Sequence, residues 1–398
     1  MQNNGKNQLA IKISNQSAIR KMIYLDGPVL RADIAESLGL TLPTITTNIV
    51  KLINTGIVYN DKDAVVSTYG RSALPVNIVP DSRFFIGIEI TTRSRELYLT
   101  DYRGNIAYQV TDTAVFSDYD EVIKSASSLI NTALSSGAVS TEKIYGIGIS
   151  MPGLIDSDTG MLLAHRQYDW YNKNVVSDIR AQISYSGPIS IGNNAYARSL
   201  AAQLFMRKEL SAVPSFLYLY VSTGIAAPFI TNDKSLKMAN TGTGELGYMI
   251  MDAHAGFDSY GSLGSLNTLA GERIMKKKYA KIKGLPDDYD SSYIPIAQIL
   301  EDAKTNKKIS ELVKNSCFYL GIGVANEDNL VRPHTILVDA EFFTTEEYRS
   351  YFADTIKKYS FRPDSFEFNF IYIDRSYING PRSAAALAIR TDFDVYIP

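Results

Sequence analysis

The chain has 398 residues, of which 45% are hydrophobic and 21% charged. That mix describes a soluble globular protein of two or three domains and excludes disordered, collagen-like or coiled-coil chains as a description of the whole. The net charge of −2 divides unevenly: residues 1–80 hold eight Lys/Arg against five Asp/Glu, or +3, and the remainder carries −5.

No apolar run of about 18 residues is present to span a bilayer, and the opening MQNNGKNQLAIKISNQ lacks the apolar stretch of a secretory signal. A cytoplasmic protein without membrane attachment is therefore expected. Cys317 is the sole cysteine, so no intrachain disulfide can form. With His165, His254 and His334 the only histidines, a Cys-rich structural zinc site cannot be built. The basic head hints at a polyanion partner.

In the head, Ala18, Ile19, Met22, Ile23 and Leu25 recur at helical spacing over Gln16–Leu25, and Asp26-Gly27-Pro28 ends that helix. A short helix is expected over about Arg31–Leu38, closed by Gly39. A third begins at Thr41-Leu42-Pro43, a hydroxyl cap followed by proline in the first turn, and runs to Gly56. Two short helices joined by a tight glycine turn match a helix-turn-helix. On pattern alone, a plain three-helix domain remains the alternative.

The third helix would expose Thr44, Thr46, Thr47, Asn48 and Lys51, short polar groups and one cation suited to phosphates and base edges. Ile57–Tyr59 and Ala64–Val66 around Asn60–Asp63 predict a hairpin, the wing of a winged helix. Gly70-Arg71 beside it suits a narrow minor groove.

In the body, strands are predicted at Phe84–Ile90, Glu96–Asp101 and Ile106–Val110, a helix at about Tyr119–Leu134, and a buried strand at Tyr145–Ser150. A similar order returns with strands at Phe216–Val221 and Ala226–Ile230, a helix near Leu269–Lys281 and a strand at Thr335–Val338. Two such α/β halves would place a ligand between lobes.

Several motifs now stand in order: the head segment GPVLRADIAESLGLTLPTITTNIVKLINTGIV, then GIGISMPGLID (146–156), GNNAYARSLAA (192–202), STGIAAPFI (222–230), TGTGELGYM (241–249) and GIGVANEDNLVRPHTILVDA (321–340). Together they make the chain similar to the ROK family (repressor, open reading frame, kinase) over nearly its whole length. The resemblance implies a two-lobed actin-like, sugar-kinase fold behind a winged helix-turn-helix. Residues 1–80 would be the DNA-binding domain with its linker and 81–398 the body, with lobe one about 81–193 plus 382–398 and lobe two about 194–381. Family members are sugar kinases or sugar-responsive repressors, and the repressors carry the extra head.

The departures from the family pattern are informative. Asn193-Asn194 stands where the kinases have Asn-Asp, and an amide cannot take the proton from a sugar hydroxyl. Glu89-Ile90-Thr91-Thr92-Arg93 puts side chains where the first phosphate loop has small glycines, and Ala stands at a usual glycine after Thr223-Gly224. The family's zinc positions are Tyr248, Asp258, Tyr260 and Ser265, none of them the usual ligand. The resemblance thus implies no catalytic residues, no metal and no cofactor.

It does leave a sugar-contacting set: Asn193, Asn194, Glu245, Tyr248 and Asn267. The alternative is a decayed site of ordinary core and surface residues. The expected partners are double-stranded operator DNA, through Arg31, Thr44, Thr46, Thr47, Asn48, Lys51 and Arg71, and a sugar or sugar derivative. A homodimer or higher homo-oligomer is expected, because such heads read paired half-sites. A repressor of carbohydrate genes without kinase activity leads. A kinase with an appended head, or a body that answers to a protein partner, stays open.

Overall fold

The computed structural model describes residues 2–64, 66–68, 71–210, 212–231, 244–258, 261–395 and 397, with backbone alone for 2–8, 66–68, 71–73, 258 and 261. It divides into two compact units, 1–212 with 378–398 and 213–377.

The first unit opens with three helices, α1 (Gln2–Asp26), α2 (Arg31–Leu38) and α3 (Leu42–Asn54). Thr41 caps α3, its Oγ1 accepting from the Thr44 N–H at 3.4 Å, and Pro43 sits in the first turn, where its missing N–H costs nothing. Gly39 ends α2 in the left-handed region at φ 63°, which favours glycine. Ile19 and Ile23 of α1, Ile34 of α2 and Ile45, Ile49 and Leu52 of α3 are all fully buried.

The strands that follow correct the expected hairpin. β1 (Val58–Asn60) pairs antiparallel with β4 (Val76–Ile78), while β2 (Val66–Thr68) pairs with β3 (Arg71–Ala73). The wing is therefore a later hairpin. Val58, Val76 and Ile78 are all buried, and Asp61 N–H donates to the Pro75 carbonyl. Closing the helical core selects this pairing over the local one. Arg71 opens β3; its side chain, and Gly70, lie outside the described residues.

Lobe one continues with β5 (Phe84–Ile90), β6 (Arg95–Asp101), β7 (Ile106–Asp112), α4 (Tyr119–Ser135), β8 (Ile144–Met151), β9 (Leu154–Asp156), β10 (Met161–His165), β11 (Trp170–Lys173), α5 (Val175–Arg180), β12 (Ile189–Asn193), α6 (Asn194–Phe205) and α7 (Arg207–Leu210). Its main sheet runs β12-β8-β5-β6-β7, parallel across the first three strands and antiparallel across the last three. Ile86, Ile88 and Ile90 alternate onto one face, into a core with Val122 and Ile130 of α4. β9, β10 and β11 form a separate small sheet.

The second unit holds β13 (Ser215–Val221), β14 (Ile225–Ala226), β15 (Phe229–Thr231), β16 (Phe257–Asp258), β17 (Gly261–Ser262), α8 (Leu266–Ala270), α9 (Glu272–Ile282), α10 (Ile296–Ala303), α11 (Lys307–Val331), β18 (Thr335–Asp339), α12 (Glu346–Tyr359) and β19 (Phe370–Tyr372). β13, β18 and β19 are parallel neighbours, with β14 and β15 antiparallel to β13. Two expected elements are split. Pro228, which has no N–H for the ladder, separates β14 from β15, and Gly271 separates α8 from α9.

The chain then returns to the first unit as α13 (Gly380–Phe393). This helix covers the other face of the main sheet, packing on β5, β8 and α6. Unit one therefore keeps α6, which was expected in lobe two: its Ala197, Leu200, Ala201 and Leu204 are buried. The second unit accordingly spans 213–377 where 194–381 was expected.

Candidate functional site

α3 presents Thr46 and Thr47 to solvent, with Thr44, Asn48 and Lys51 half-buried. Its first turn has no acidic residue, so nothing offsets the partial positive charge of the helix start. Two of the expected readers hold their own helix: Thr47 Oγ1 donates to the Pro43 carbonyl and Asn48 Nδ2 to the Thr44 carbonyl, both at 2.9 Å. Such bonds orient a side chain without removing its remaining lone pairs and protons. Arg31 is more firmly committed, its Nη2 donating to Asn60 Oδ1 at 2.6 Å.

The five expected ligand residues fall on both units. On unit one, Asn193 stands at the end of β12 and caps α6. Its Oδ1 accepts from Ala195 N–H at 2.8 Å and its Nδ2 donates to the Gly153 carbonyl at 2.9 Å, pinning the Pro152-Gly153 turn. Asn194 Oδ1 also accepts from Ala195 N–H, at 3.0 Å.

On unit two, Asn267 Oδ1 accepts from Ile225 N–H at 2.8 Å, tying α8 to β14. Glu245 precedes the short 3-10 turn Leu246–Tyr248, and burial raises its carboxyl above the ordinary carboxylate value. Tyr248 is 49% exposed.

Both turns that the resemblance matches to phosphate loops carry internal hydrogen bonds. In the β5–β6 turn, Thr91 Oγ1 accepts from Arg93 and Ser94 N–H groups at 3.2 and 2.9 Å, and Thr92 Oγ1 donates to the Tyr168 hydroxyl at 2.7 Å. In the β13–β14 turn, Ser222 N–H donates to the Gly224 carbonyl at 2.9 Å. Amides used in this way are not offered to an anion. Of the zinc positions, Ser265 is buried with its Oγ 3.3 Å from Thr268 Oγ1, and the side chains of Asp258 and Tyr260 lie outside the described residues.

Sequence reasoning missed a charge cluster of unit two. Beyond the carboxyl ends of β13, β18 and β19, Arg375 sends Nε to Asp339 Oδ1 and Nη1 to Glu341 Oε1 at 3.1 Å. Its Nη2 donates to the Val221 and Asp339 carbonyls at 2.6 and 2.9 Å. Tyr218 hydroxyl donates to Asp339 Oδ2 at 2.7 Å, and Glu272 lies 3.9 Å from the guanidinium. The crevice at the carboxyl ends of parallel strands is where open α/β sheets hold ligands. Here the chain's own ion pairs stand at those strand ends. An aspartate closing the apolar run Thr335–Asp339 was the readable signal; Arg375 gave none.

The model of the ROK family matches residues 85–390, most of the chain. The chain belongs to the ROK family. Among ROK relatives, it is 25% identical to the xylose repressor of Caldicellulosiruptor bescii over 347 residues, covering 85% of this chain and 86% of that protein. It is 23% identical to the DNA-binding transcriptional dual regulator NagC of Escherichia coli, covering 83% and 81%.

A crystal structure of a ROK transcriptional regulator, a homologue of the Escherichia coli MLC protein, superposes with TM-score 0.79 at 20% identity, covering 97% of each chain. The ROK glucokinase of Streptomyces griseus, solved with glucose and AMPPNP, superposes with TM-score 0.62 at 17% identity, covering 76% of this chain and 98% of the kinase. The body thus has the actin-like sugar-kinase fold, and the ROK family holds both regulators and kinases. Among the described residues, no helix is long and apolar enough to cross a membrane.

Proposed function

We propose that the chain is a DNA-binding transcriptional repressor whose body binds a sugar or sugar derivative without phosphorylating it. The observation that carries this reading is the head: α2, a glycine turn and α3 precede a wing, with an acid-free helix start and exposed Thr46 and Thr47. That arrangement suits a helix lying in a major groove, with Lys51 on phosphate. The relatives named for xylose and for DNA binding support the same assignment.

Loss of kinase chemistry is supported by Asn194, which cannot serve as a base, and by the Arg375 cluster at the strand ends. The active form is a homodimer, two heads reading half-sites about 34–36 Å apart or a multiple of that spacing. Asn193, Asn194, Glu245, Tyr248 and Asn267 remain the proposed sugar contacts, residue types whose donors and acceptors suit hydroxyl groups. Arg71 is proposed as a phosphate or minor-groove contact of the wing.

The test is a titration of the purified protein against duplexes from upstream of its own gene, at fixed salt, with xylose, N-acetylglucosamine and glucose in turn. Specific binding relieved by one sugar is the expected result. Specific binding that no sugar relieves would remove the sugar assignment and keep the regulator. Absence of specific binding would overturn the reading.

A further inference from the structure

α1 joins the head to lobe one, and three separate parts of lobe one grip its C-terminal half or the residues just after it. Arg103, in the β6–β7 turn, donates Nη1 to the Tyr24 carbonyl at 2.7 Å and stacks over the Tyr24 ring. Arg207, at the start of α7, donates to the Leu25 carbonyl and, at 3.3 Å, to that of Gly27. These two guanidiniums occupy the last carbonyls of α1, where a helix favours cations.

The third grip is buried and ionic. Arg20 is fully buried; its Nη2 reaches Asp392 Oδ2 and, at 2.9 Å, the Tyr102 hydroxyl. Arg83 holds the other oxygen of Asp392, and the Tyr102 hydroxyl donates to Asp392 as well. The segment after α13 completes the grip. Arg20 Nη1 donates to the Val395 carbonyl at 2.8 Å, and Ser17 Oγ donates to Asp394 Oδ1 at 2.7 Å. Gln16 closes a two-point amide pair on Ile397, accepting from its N–H at 2.6 Å and donating to its carbonyl at 2.8 Å.

A buried charge cluster of this kind is not soft. Separating its members would strand at least one charge in a dry interior, a cost far above that of bending an exposed linker. α1 packs in turn on α2, α3 and β4, and its Ile19 and Ile23 are fully buried, so fixing α1 fixes α3. The far end of α13 is equally anchored: Gly380 leaves room for the Glu89 carboxylate of β5 against the first turn of the helix, where a Cβ would lie 1.8 Å from Glu89 Oε2. Arg198 of α6 bonds the preceding Ile378 carbonyl at 2.8 Å.

We propose that the junction of Gln16 and Arg20 with Asp392 and the segment to Ile397 is a positioning latch that makes the DNA-reading helix a rigid extension of lobe one. A change in the body then reaches DNA by moving lobe one and head together, not by swinging the head on a linker. The latch rests on the reading of the head as DNA-binding, and Gln16, Arg20 and Asp392 act through α3 without touching DNA.

The experiment uses the full chain as wild type, Gln16→Ala and Asp392→Asn, with amide hydrogen exchange, thermal melting and DNA titration on the same samples. Gln16→Ala removes the two hydrogen bonds to Ile397 without unpairing a buried charge, and so guards against Asp392→Asn simply failing to fold. Faster exchange over residues 9–26 and about a tenfold weaker affinity for duplexes from upstream of its own gene are expected in both variants, with the melting point of the body unchanged in Gln16→Ala and lowered in Asp392→Asn, where Arg20 and Arg83 lose their carboxylate. The slope of affinity against salt should stay at the wild-type value, because no phosphate contact is lost. Unchanged exchange in α1 would overturn the latch, and faster exchange with unchanged affinity would overturn its role in positioning. If the wild type binds no DNA, the reading of the head fails, and the exchange data alone still decide whether the latch exists.

Discussion

Arg375 lies against Asp339, a fully buried carboxylate at the end of β18, and hydrogen-bonds the Val221 carbonyl at the end of β13. The pair seals the carboxyl end of the unit-two sheet. Removing one member of such a pair leaves the other charge buried without compensation. Arg375→Ala should therefore lower unfolding stability by about 3–5 kcal/mol in urea titrations. A loss under about 1 kcal/mol would mean that the cluster is solvated and behaves as a surface ion pair.

The same cluster makes stability fall with rising pH. Burial pushes the Glu272 carboxyl from 4.5 up to about 7, with Arg375 opposing. Between those values the folded state holds a proton that the unfolded chain releases, so each step up in pH favours unfolding. The contribution is absent below the unfolded value, grows from about pH 4.5 to 7 and amounts to up to about 3 kcal/mol above that. Glu272→Gln should flatten this part of the curve, gaining stability over wild type at pH 7.5 but not at pH 4.5. Parallel curves for the two proteins would show that Glu272 does not titrate in this window.

How much of this was legible in the sequence follows from distance along the chain. α3 was readable because its signals are local: the Thr41 cap, Pro43, and the spacing of Ile45, Ile49 and Leu52. β5 was readable with its boundaries because its largely apolar run starts after Arg83 and stops at the polar Thr91-Thr92. The wing was misassigned because three short apolar runs can pair in two ways, and the choice depends on which of them closes the helical core. Arg20 and Asp392 are 372 positions apart, and Arg375 and Asp339 are 36 apart across a strand crossover. No periodicity marks such partners. The five proposed ligand residues rest on the resemblance alone; that Asn193 and Asn267 hold backbone amides was visible only in the fold.

Restoring the missing acid should not restore a kinase. Asn194→Asp would place a carboxylate at the position of the family's base, yet the Arg93, Ser94 and Ser222 amides in the two turns are already bonded within those turns. Phosphoryl transfer depends on holding the nucleotide phosphates as well as on the base. An ADP-release assay with glucose, xylose or N-acetylglucosamine should read background for wild type and for Asn194→Asp alike. Turnover in the variant would show that the phosphate loops open on binding ATP.

Two glycines let α13 approach the main sheet. A Cβ on Gly148 would lie 1.8 Å from the Ala384 carbonyl oxygen, and one on Gly87 would lie 2.0 Å from that of Pro381. These are backbone atoms of a helix and cannot step aside as a side chain would. Gly148→Ala should cost about 3 kcal/mol or more, because helix and sheet must separate. If the latch is sound, the same variant also quickens amide exchange in α1, since α13 carries Asp392. A neutral Gly148→Ala would mean that α13 is loosely held.

Lys51 and Thr46 test separately the two jobs proposed for α3. Lys51 sits in the last turn of α3, half-buried and cationic, and Thr46 is exposed one turn from the start. A lysine on a phosphate contributes affinity without sequence information, through release of the counterion it replaces. Lys51→Ala should weaken binding to every duplex by a similar factor and reduce the slope of log affinity against log salt by about 1. Thr46→Ala should leave that slope alone and change the ranking among duplexes altered at single base pairs, at about 1–3 kcal/mol for the base it reads. An unchanged slope in Lys51→Ala would remove Lys51 from the interface. An unchanged ranking in Thr46→Ala would shift base reading to Thr44, Thr47 or Asn48, whose side chains share the first turns of the same helix.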